Sequence, residues 1–497
     1  MSYMKSLLEE FRIIEQDISS LSLKYWLYPA VIAVIFYYPI LNASAYYADD
    51  LYRAYFGTFG WYHLGRPFAD ITALLYSSTI DLQKPVIVDA YPFSWFLVVF
   101  LIVFSSVLIH LTLLRFNKKI AFGASLIFII NPFFVENMLY RFDSIGMFVA
   151  MTAVIIAFYI RNSTTGYFLK AILLLACLAT YQVFFNLYAG LFGLTLVIMA
   201  ISTDNILSFT LKEIFFKILK VITLLIAVSL IYFIVLKLFM PAQASPRSEI
   251  IQLDLYIIVK IIINYFNAFF VFLDFWSYFL PYIAIVIPII LFCMVKVLKE
   301  PTRLITCTLG ILFLLFSTIG FMAILKNQFY LPRGLTYFSV IMMAIFVIIS
   351  SKNIKLGWVM LLPMTACFLF VARVGNSLSI QSEFEKPILS MAVKDLQSVN
   401  TNNPVYSIGA IKLSPTAKMI SERTPFNALL TRSGFETGGR LIHAGSSNTK
   451  FLWSGDYTRA QTDFNNRVKH SLSPTIIVKP YYEIYAEDNK TWIYWFN

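Results

Sequence analysis

The sequence predicts an all-α membrane domain with many spans, followed by a small α/β domain. Of the 497 residues, 59% are hydrophobic and only 13% are charged, whereas soluble domains are typically about half apolar and a quarter charged. The apolar residues lie in runs that are long enough to cross a bilayer, which takes about 20 residues. The composition turns polar after residue 372. We therefore expect three parts, at residues 1–24, 25–372 and 373–497.

Residues 1–24 are predicted to form an amphipathic helix on the cytoplasmic surface of the membrane. Leu7, Phe11, Ile14 and Ile18 recur at helical spacing, as in helices that lie in the membrane interface. The segment has mixed charge and lacks the short apolar core of a cleaved signal peptide. The first span, near 25–45, is therefore expected to act as an uncleaved anchor.

The membrane topology follows from the apolar runs and from the basic loops between them. The runs lie near 25–45, 93–114, 120–135, 144–160, 168–183, 185–201, 218–240, 256–274, 277–298, 304–325, 335–350 and 356–372. Cytoplasmic loops are enriched in Lys and Arg, and all the basic loops face the cytoplasm if one run does not cross. Run 256–274, interrupted by Asn264, Asn267 and Asp274, is expected to be re-entrant or interfacial. This gives about 11 crossings, unless that run crosses and a neighbouring run does not.

Residues 373–497 are predicted to form a periplasmic α/β domain of about 125 residues, which is large enough to fold alone. SEFEKPILSMAVKDLQS (382–398) indicates a helix, whereas PVYSIG (404–409) indicates a strand. PTIIVKPYYEIYAEDNKTWIYWFN (474–497) indicates further strands, with AEDNK as a turn between two aromatic and β-branched runs. GFETGGR (434–440) and HAGSSN (443–448) are expected to be surface loops.

Cysteine usage and charge exclude several classes of function. The four cysteines, Cys177, Cys293, Cys307 and Cys367, all lie in apolar runs, so we interpret them as core residues rather than as disulfides or zinc ligands. The net charge of +12 is spread over short loops, as expected for contact with lipid headgroups. No nucleic-acid-binding module is visible.

The acidic pair Asp49 and Asp50 directly follows the first apolar run, in YADDLYR (47–53). A carboxylate at the edge of a bilayer is unfavourable unless it is solvated, paired or functional. One interpretation is an ion pair with Arg53, which is three or four residues away. The other is a general base that activates an acceptor hydroxyl. The pair could also hold a divalent metal, although no metal is expected.

His63 and Arg66 follow in the same outer loop, in WYHLGRPFAD (61–70). The guanidinium of Arg66 is suited to phosphate, and Gly65 allows a ligand to approach closely. The structural alternative is an interfacial aromatic helix whose arginine reaches the lipid headgroups.

NPFFVENMLYRFDS (131–144) places Glu136, Arg141 and Asp143 at the outer end of two spans. Glu136 and Asp143 are seven residues apart and are expected to share a helix face, with Arg141 neutralising one of them. A structural ion-pair network and a sugar-binding wall fit this pattern equally well, since carboxylates accept hydrogen bonds from sugar hydroxyls.

KNQFYLPRGLTYF (326–338) lies in a later outer loop. Lys326 and Arg333 could hold a lipid phosphate, and Tyr330 could stack on a sugar or belong to an aromatic belt. Tyr181 and Gln182 interrupt an apolar hairpin elsewhere, and we interpret them as helix-packing residues.

These motifs together resemble the serotype-converting O-antigen glucosyltransferases of the Gtr type, in the GT-C glycosyltransferase superfamily. The resemblance rests on YADDLYR (47–53) with GRPFAD (65–70), on NPFFVENMLYRFDS (131–144) and on the C-terminal PTIIVKPYYEIYAEDNKTWIYWF (474–496). It implies a GT-C-like fold in the bacterial inner membrane, with the N-terminus cytoplasmic. It also implies transfer of a hexose, with glucose expected, from a polyprenyl-phosphate-sugar donor to an O-antigen acceptor in the periplasm. A donor synthase and a flippase would act upstream. No cofactor is expected for the transfer itself.

The site residues expected under this resemblance have three roles. Asp49 or Asp50 would correspond to the acidic motif in the first outer loop of GT-C enzymes, and cations would stabilise the departing lipid phosphate. The expected phosphate-binding residues are Arg53, Arg66, Arg333 and Lys326, and the expected sugar-binding or acceptor-binding residues are His63, Glu136, Arg141, Asp143 and Tyr330.

Two other classes of protein share some of these features. A lipid-linked sugar flippase would also need many spans and phosphate-binding cations, but transporters tend to show internal repeats and charges near the midplane. An O-antigen polymerase or ligase is expected to have its dominant outer loop between late spans. Here the charges lie at one membrane face and the main polar region is terminal, which favours a transferase.

Overall fold

The protein is described by a computed structural model that covers residues 2–77, 85–201, 210–239, 251, 255–326, 330–399, 402–422, 429–430 and 433–496. Helices form the large N-terminal part, and a four-stranded sheet lies in the C-terminal part. The helices are α1 Ser2–Ser19, α2 Lys24–Ala43, α3 Asp50–Phe56, α4 Pro67–Ser77, α5 Phe93–Leu114, α6 Ala121–Ile129, α7 Phe134–Leu139, α8 Ser144–Tyr159, α9 Thr164–Thr180, α10 Phe185–Ile201, α11 Leu211–Phe239, α12 Ile257–Trp276, α13 Leu280–Ala284, α14 Ile287–Lys299, α15 Pro301–Ile319, α16 Phe338–Ser350, α17 Leu361–Val399, α18 Pro415–Ser421, α19 Gly434–His443, α20 Ser454–Asp463 and α21 Lys469–Ser471. The strands are β1 Val405–Ile408, β2 Ile476–Val478, β3 Tyr482–Ala486 and β4 Thr491–Trp495.

The apolar helices identify a membrane protein. Within the described residues, seven helices are long and apolar enough to cross a bilayer, and four further apolar helices are shorter. The seven candidate spans are Lys24–Ala43, Phe93–Leu114, Gln182–Ile201, Leu211–Phe239, Ile257–Trp276, Pro301–Ile319 and Ile354–Val399. The number of crossings and the orientation of the chain remain predictions.

Helix α12 corresponds to the run that was expected to be re-entrant or interfacial. It is continuous over Ile257–Trp276 and is one of the seven candidate spans. Its Asn264 donates hydrogen bonds to the carbonyl oxygens of Ala323 and Leu325, at 3.1 and 3.3 Å. The polar residues therefore do not interrupt this helix. The side-chain amide of Asn264 instead satisfies backbone carbonyl groups of a neighbouring segment.

Small residues bring two helices of the bundle together. A Cβ added to Gly193 on α10 would lie 2.6 Å from the carbonyl oxygen of Gly310 on α15, and a Cβ on Gly310 would lie 2.9 Å from that of Gly193. Such close backbone approach is typical of helix packing within membranes. The four cysteines are buried and free, as expected for core residues.

Helix α17 joins the two predicted domains without a break. It spans 39 residues and contains Pro387, so the last apolar run and the predicted helix at 382–398 form one element. Gly375 on α17 packs against Pro39 on α2. Beyond that contact the helix continues for about 35 Å at 1.5 Å per residue and carries part of the C-terminal core.

The C-terminal strands form one sheet with the order β1-β4-β3-β2. Strands β3 and β4 pair in antiparallel fashion, with Ala486 opposite Thr491, which confirms the predicted turn at AEDNK. Strand β1 pairs in parallel with β4. Trp495 and Tyr482 are completely buried between this sheet and α17.

The prediction that GFETGGR is a surface loop is wrong, because this segment forms most of α19. Ser433 and Glu436 form a reciprocal capping box that starts the helix, and such a cap offsets the low helix propensity of glycine. The missing side chain of Gly439 lets α19 approach α3, since a Cβ there would lie 3.1 Å from that of Leu51. The C-terminal domain thus packs directly on the helix that begins with the acidic pair.

Candidate functional site

The two adjacent aspartates lie in different environments. Asp50 is 0% exposed, whereas Asp49 is only partly buried. The carboxylate of Asp50 accepts hydrogen bonds from the backbone N–H groups of Arg141 at 2.8 Å, Tyr47 at 3.3 Å and Phe142 at 3.4 Å. Burial raises the pKa of Asp50 well above its ordinary value and the charge of Asp143 adds to this, while the three N–H groups oppose it. Asp50 therefore joins two loops, and Asp49 is the more accessible carboxylate.

Arg141 also holds these loops together, through its side chain. Its Nη1 donates to Asp89 Oδ2 at 2.8 Å, and its Nη2 donates to the carbonyl oxygen of Ser44 at 2.6 Å. The guanidinium also lies 4.4 Å from the ring centre of Tyr46. We call Ser44, Asp50, Asp89 and Arg141 the clasp. Arg141 was expected to neutralise Glu136 or Asp143, and the structure instead pairs it with Asp89, which the sequence analysis did not single out.

A cleft of about 260 Å³, including the space at its mouth, opens beside the clasp. Its lining combines charged residues with aromatic and small apolar ones. The lining residues are Trp61, Arg66, Ala69, Tyr76, Phe142, Asp143, Gly146, Met147, Thr180 and Tyr181. The cleft therefore brings together Arg66 and Asp143, which are 77 residues apart in the chain (143 − 66 = 77).

Asp143 lines this cleft and pairs with Arg53, which lies behind it. Arg53 Nε lies 3.4 Å from Asp143 Oδ2, but the two atoms are not aligned for a hydrogen bond. Arg53 is 7% exposed, and its guanidinium lies 3.7 Å from the ring centre of Trp61. The indole N–H of Trp61 donates to Asp143 Oδ1. Because its charge is already matched by Asp143, Arg53 is less available to a ligand than Arg66.

Arg66 points into the cleft with part of its charge unmatched. Its Nε donates to Gln182 Oε1 at 2.8 Å, and the guanidinium lies 5.0 Å from the ring centre of Tyr181. Among the described residues, no carboxylate lies within ion-pair distance of Arg66. Burial lowers the pKa of Arg66, and the positive charge of Arg333 acts in the same direction. A guanidinium that lines the cleft and is held by a neutral amide is suited to an anionic ligand.

Glu136 and Arg333 form a pair next to the acidic motif. The backbone N–H of Arg333 donates to Glu136 Oε2 at 2.7 Å, and its Nε lies 3.8 Å from Oε1. Arg333 also donates to the hydroxyl of Tyr140. Burial raises the pKa of Tyr140, and the negative charges of Glu136 and Asp49 act in the same direction. Asp49 therefore lies within electrostatic reach of this pair.

Glu136 and Asp143 do not share a helix face, contrary to the expectation. Helix α7 ends at Leu139, and Asp143 precedes α8, which starts at Ser144. The intervening Tyr140 is extended, which directs the two carboxylates to different arginines. Burial raises the pKa of Glu136, and Arg333 opposes this.

Among the predicted site residues, Arg66 and Asp143 line the cleft and the others do not, including His63, Lys326 and Tyr330. His63 is exposed on a short 3₁₀ helix, Tyr62–Leu64. Lys326 is exposed beyond the 3₁₀ helix Gly320–Ile324. Tyr330 packs edge-on against Phe272 of α12, at 6.2 Å between ring centres. Their proposed contacts with sugar or phosphate remain predictions.

The sequence analysis also missed several residues that build the site. Trp61 and Tyr140 lie within the motifs already quoted, and an aromatic residue beside an arginine was an available signal. Gln182 was interpreted as a packing residue, although an amide in an apolar hairpin needs a hydrogen-bonding partner.

The acidic pair offers few ligands for a metal. Within the described part of the chain, no group of three or more His, Cys, Asp or Glu side chains is arranged to hold one. Both oxygens of Asp50 already accept backbone N–H groups, so Asp50 is poorly placed as a ligand. The expectation of a metal-independent site remains a prediction.

The fold and the site together define a membrane protein with a charged cleft beside the clasp. A family model described as "Glucosyl transferase GtrII" matches residues 38–350. The chain therefore belongs to this glucosyltransferase family. The matched residues include the clasp and the lining of the cleft.

The chain is also similar to a protein of Salmonella phage P22, described as an uncharacterized 55.3 kDa protein in the gtrB 5′ region. The two are 30% identical over 243 residues, which cover 47% of this chain and 47% of that protein. The chain thus spans about half the length of the curated relative that it matches. No solved structure matches the chain.

Proposed function

We propose that this protein transfers glucose from a polyprenyl-phosphate-glucose donor to an O-antigen sugar at the periplasmic face of the bacterial inner membrane. The observation that carries the proposal is Arg66, an arginine without a carboxylate partner among the described residues, in a cleft that also holds Asp143. An unmatched guanidinium is suited to a phosphate group. The glucosyltransferase family supports the sugar, and the basic inner loops support the orientation.

The proposed donor requires the site to stabilise a departing phosphate. The acceptor oxygen attacks the anomeric carbon, the bond from that carbon to the phosphate oxygen breaks, and polyprenyl phosphate leaves with the electron pair. Arg66, with Arg333 nearby, supplies positive charge for this leaving group. In-line attack inverts the anomeric centre.

Asp49 is the proposed general base, and it takes the proton from the acceptor hydroxyl. It is partly exposed, whereas Asp50 is completely enclosed and holds three backbone N–H groups. A general base contributes about 10²–10⁴-fold to the rate. Asp50 positions the loop that carries Asp49.

Transfer by the purified full-length protein tests the proposal. Polyprenyl-phosphate-glucose with a labelled sugar is incubated with lipid-linked O-antigen acceptor, with and without a chelator, and UDP-glucose serves as a control donor. We expect label on the acceptor from the lipid donor alone, at the same rate with the chelator present.

Other outcomes would identify a different activity. Movement of the labelled lipid across proteoliposomes without transfer would indicate a flippase. Growth of the acceptor by whole repeat units would indicate a polymerase. Transfer from UDP-glucose would contradict the lipid donor, and loss of turnover with the chelator would contradict metal independence.

A further inference from the structure

Arg66 belongs to a closed ring of hydrogen bonds. Its Nε donates to Gln182 Oε1 at 2.8 Å, Gln182 Nε2 donates to the hydroxyl of Tyr232 at 2.9 Å, and that hydroxyl donates to the carbonyl oxygen of Gly65 at 2.7 Å. The peptide between Gly65 and Arg66 closes the circuit. We call these four residues the Arg66 ring.

The ring joins three separate parts of the chain. Gly65 and Arg66 lie in the first outer loop, Gln182 lies between α9 and α10, and Tyr232 lies on α11. A second hydrogen bond, from the hydroxyl of Tyr62 to the carbonyl oxygen of Phe239, ties the same loop to the end of α11 at 3.1 Å. The position of Arg66 therefore depends on two distant elements rather than on its own loop alone.

Gly65 is required for this geometry. Its φ of +76° lies in the left-handed region, and a Cβ there would lie 3.1 Å from the hydroxyl oxygen of Tyr232. Any side chain would thus strain the backbone and crowd the hydroxyl that closes the ring. Because residue 65 is a glycine, the loop can lie this close to α11.

The ring engages Arg66 through its Nε, and Arg66 lines the cleft. Arg66 can only donate, so the amide of Gln182 must present its oxygen to Arg66 and its nitrogen to Tyr232. The bond from Nε and the ring face of Tyr181 fix the plane of the guanidinium. A neutral amide holds the arginine without cancelling its charge, whereas a carboxylate would compete with an anionic ligand.

We propose that Gln182 and Tyr232 are positioning residues that orient Arg66 toward the phosphate of the donor lipid. The inference rests on the proposed function, because it assigns these residues to the phosphate-binding step. Loss of the ring frees the guanidinium to rotate, so the donor binds less tightly while the acceptor is unaffected. Purely structural residues would instead change the stability and both substrates alike.

The test measures kcat and KM for polyprenyl-phosphate-glucose and for the acceptor, together with the Tm in detergent. Gln182→Met keeps the side-chain volume and removes both bonds, so we expect the donor KM to rise about 10-fold or more. Tyr232→Phe keeps the bond between Arg66 and Gln182 but removes the bonds of the Tyr232 hydroxyl to Gln182 and Gly65, and it is expected to raise the donor KM about 3-fold. Tyr265→Phe is the matched control, since it removes a hydroxyl that bonds to Leu315 and Thr318 on α15 instead.

The outcomes separate this inference from the proposed function. If Arg66→Gln raises the donor KM while Gln182→Met and Tyr232→Phe leave it unchanged, the positioning role is wrong and the proposed function stands. If Arg66→Gln also leaves it unchanged, the phosphate assignment itself fails. An equal rise in donor and acceptor KM would overturn the positioning role. If Gln182→Met fails to fold, the donor KM of Tyr232→Phe decides whether the positioning role is correct.

Discussion

Arg66 lines the cleft and Arg141 belongs to the clasp beside it, and the protein uses the charges of these two arginines differently. Arg141 donates to Asp89 and Ser44 within the clasp. Arg66 donates to a single neutral amide and faces the cleft. A matched arginine holds loops together, whereas an arginine held by a neutral group keeps its charge for a ligand.

The adjacent aspartates show the same division. Asp50 belongs to the clasp and holds the backbone of the loop before α8, while Asp49 is partly exposed and its charge acts on Tyr140. One turn of chain thus carries a structural carboxylate and a candidate catalytic one. The sequence spacing of the two aspartates identifies the acidic motif, but their contacts in the fold assign their roles.

The largest expected effect concerns the cleft arginine. Arg66→Gln removes the positive charge at the leaving phosphate, so we expect kcat/KM for polyprenyl-phosphate-glucose to fall about 10²–10³-fold. Arg459→Gln, which alters an exposed arginine of the C-terminal domain, is the control and should keep normal transfer. A normal kcat/KM for Arg66→Gln would contradict the claim that Arg66, unlike Arg141, keeps its charge for a ligand.

The clasp is expected to act on stability. Arg141→Met leaves Asp89 and the carbonyl of Ser44 without their partner, which should lower the free energy of unfolding by about 3 kcal/mol. Thermal unfolding in detergent measures this change. The control is Arg459→Met, whose exposed ion pair with Asp456 is expected to contribute less than about 1 kcal/mol. Equal shifts in the two variants would contradict the structural role of the clasp.

The contact between the C-terminal domain and α3 is expected to contribute less to stability than the clasp does. Ser433→Ala removes the capping box of α19, the helix that packs on α3, and should lower stability by about 1 kcal/mol. The matched control is Ser447→Ala, at an exposed serine. Unchanged thermal unfolding of Ser433→Ala would show that the cap does not hold this helix.

The smallest effect concerns the pH dependence of stability. Burial raises the pKa of Glu136 above its ordinary value of 4.5, so the folded protein keeps this proton at pH values where the unfolded chain has lost it. The contribution of Glu136 to the free energy of unfolding is therefore full below pH 4.5 and falls as the pH rises through the raised pKa. Tm measured from pH 4 to 8 should fall less steeply in Glu136→Gln than in the wild type. Identical slopes would refute the shift.

Much of the fold was predictable because local composition determines it. Apolar runs predicted the helices, and the aromatic, β-branched runs around AEDNK predicted the hairpin. The helix at 434–440 was missed because its glycines have low propensity, while its capping box lies in only two residues, Ser433 and Glu436.

The candidate site was less predictable because its contacts are distant in sequence. Asp89 lies 52 residues from Arg141, and Gln182 lies 116 residues from Arg66. Residue type indicated which arginines could bind phosphate, but only the fold decides which of them a carboxylate already neutralises. No local spacing encodes that choice.

The most direct measurement compares Asp49→Asn with Asp50→Asn, with kcat and Tm determined on the same preparations. We predict that Asp49→Asn lowers kcat about 10²–10⁴-fold. Asp50→Asn should show the larger fall in Tm, because its amide cannot accept all three backbone N–H groups on charged oxygens. Near-normal kcat in Asp49→Asn would contradict the assignment of Asp49 as the base.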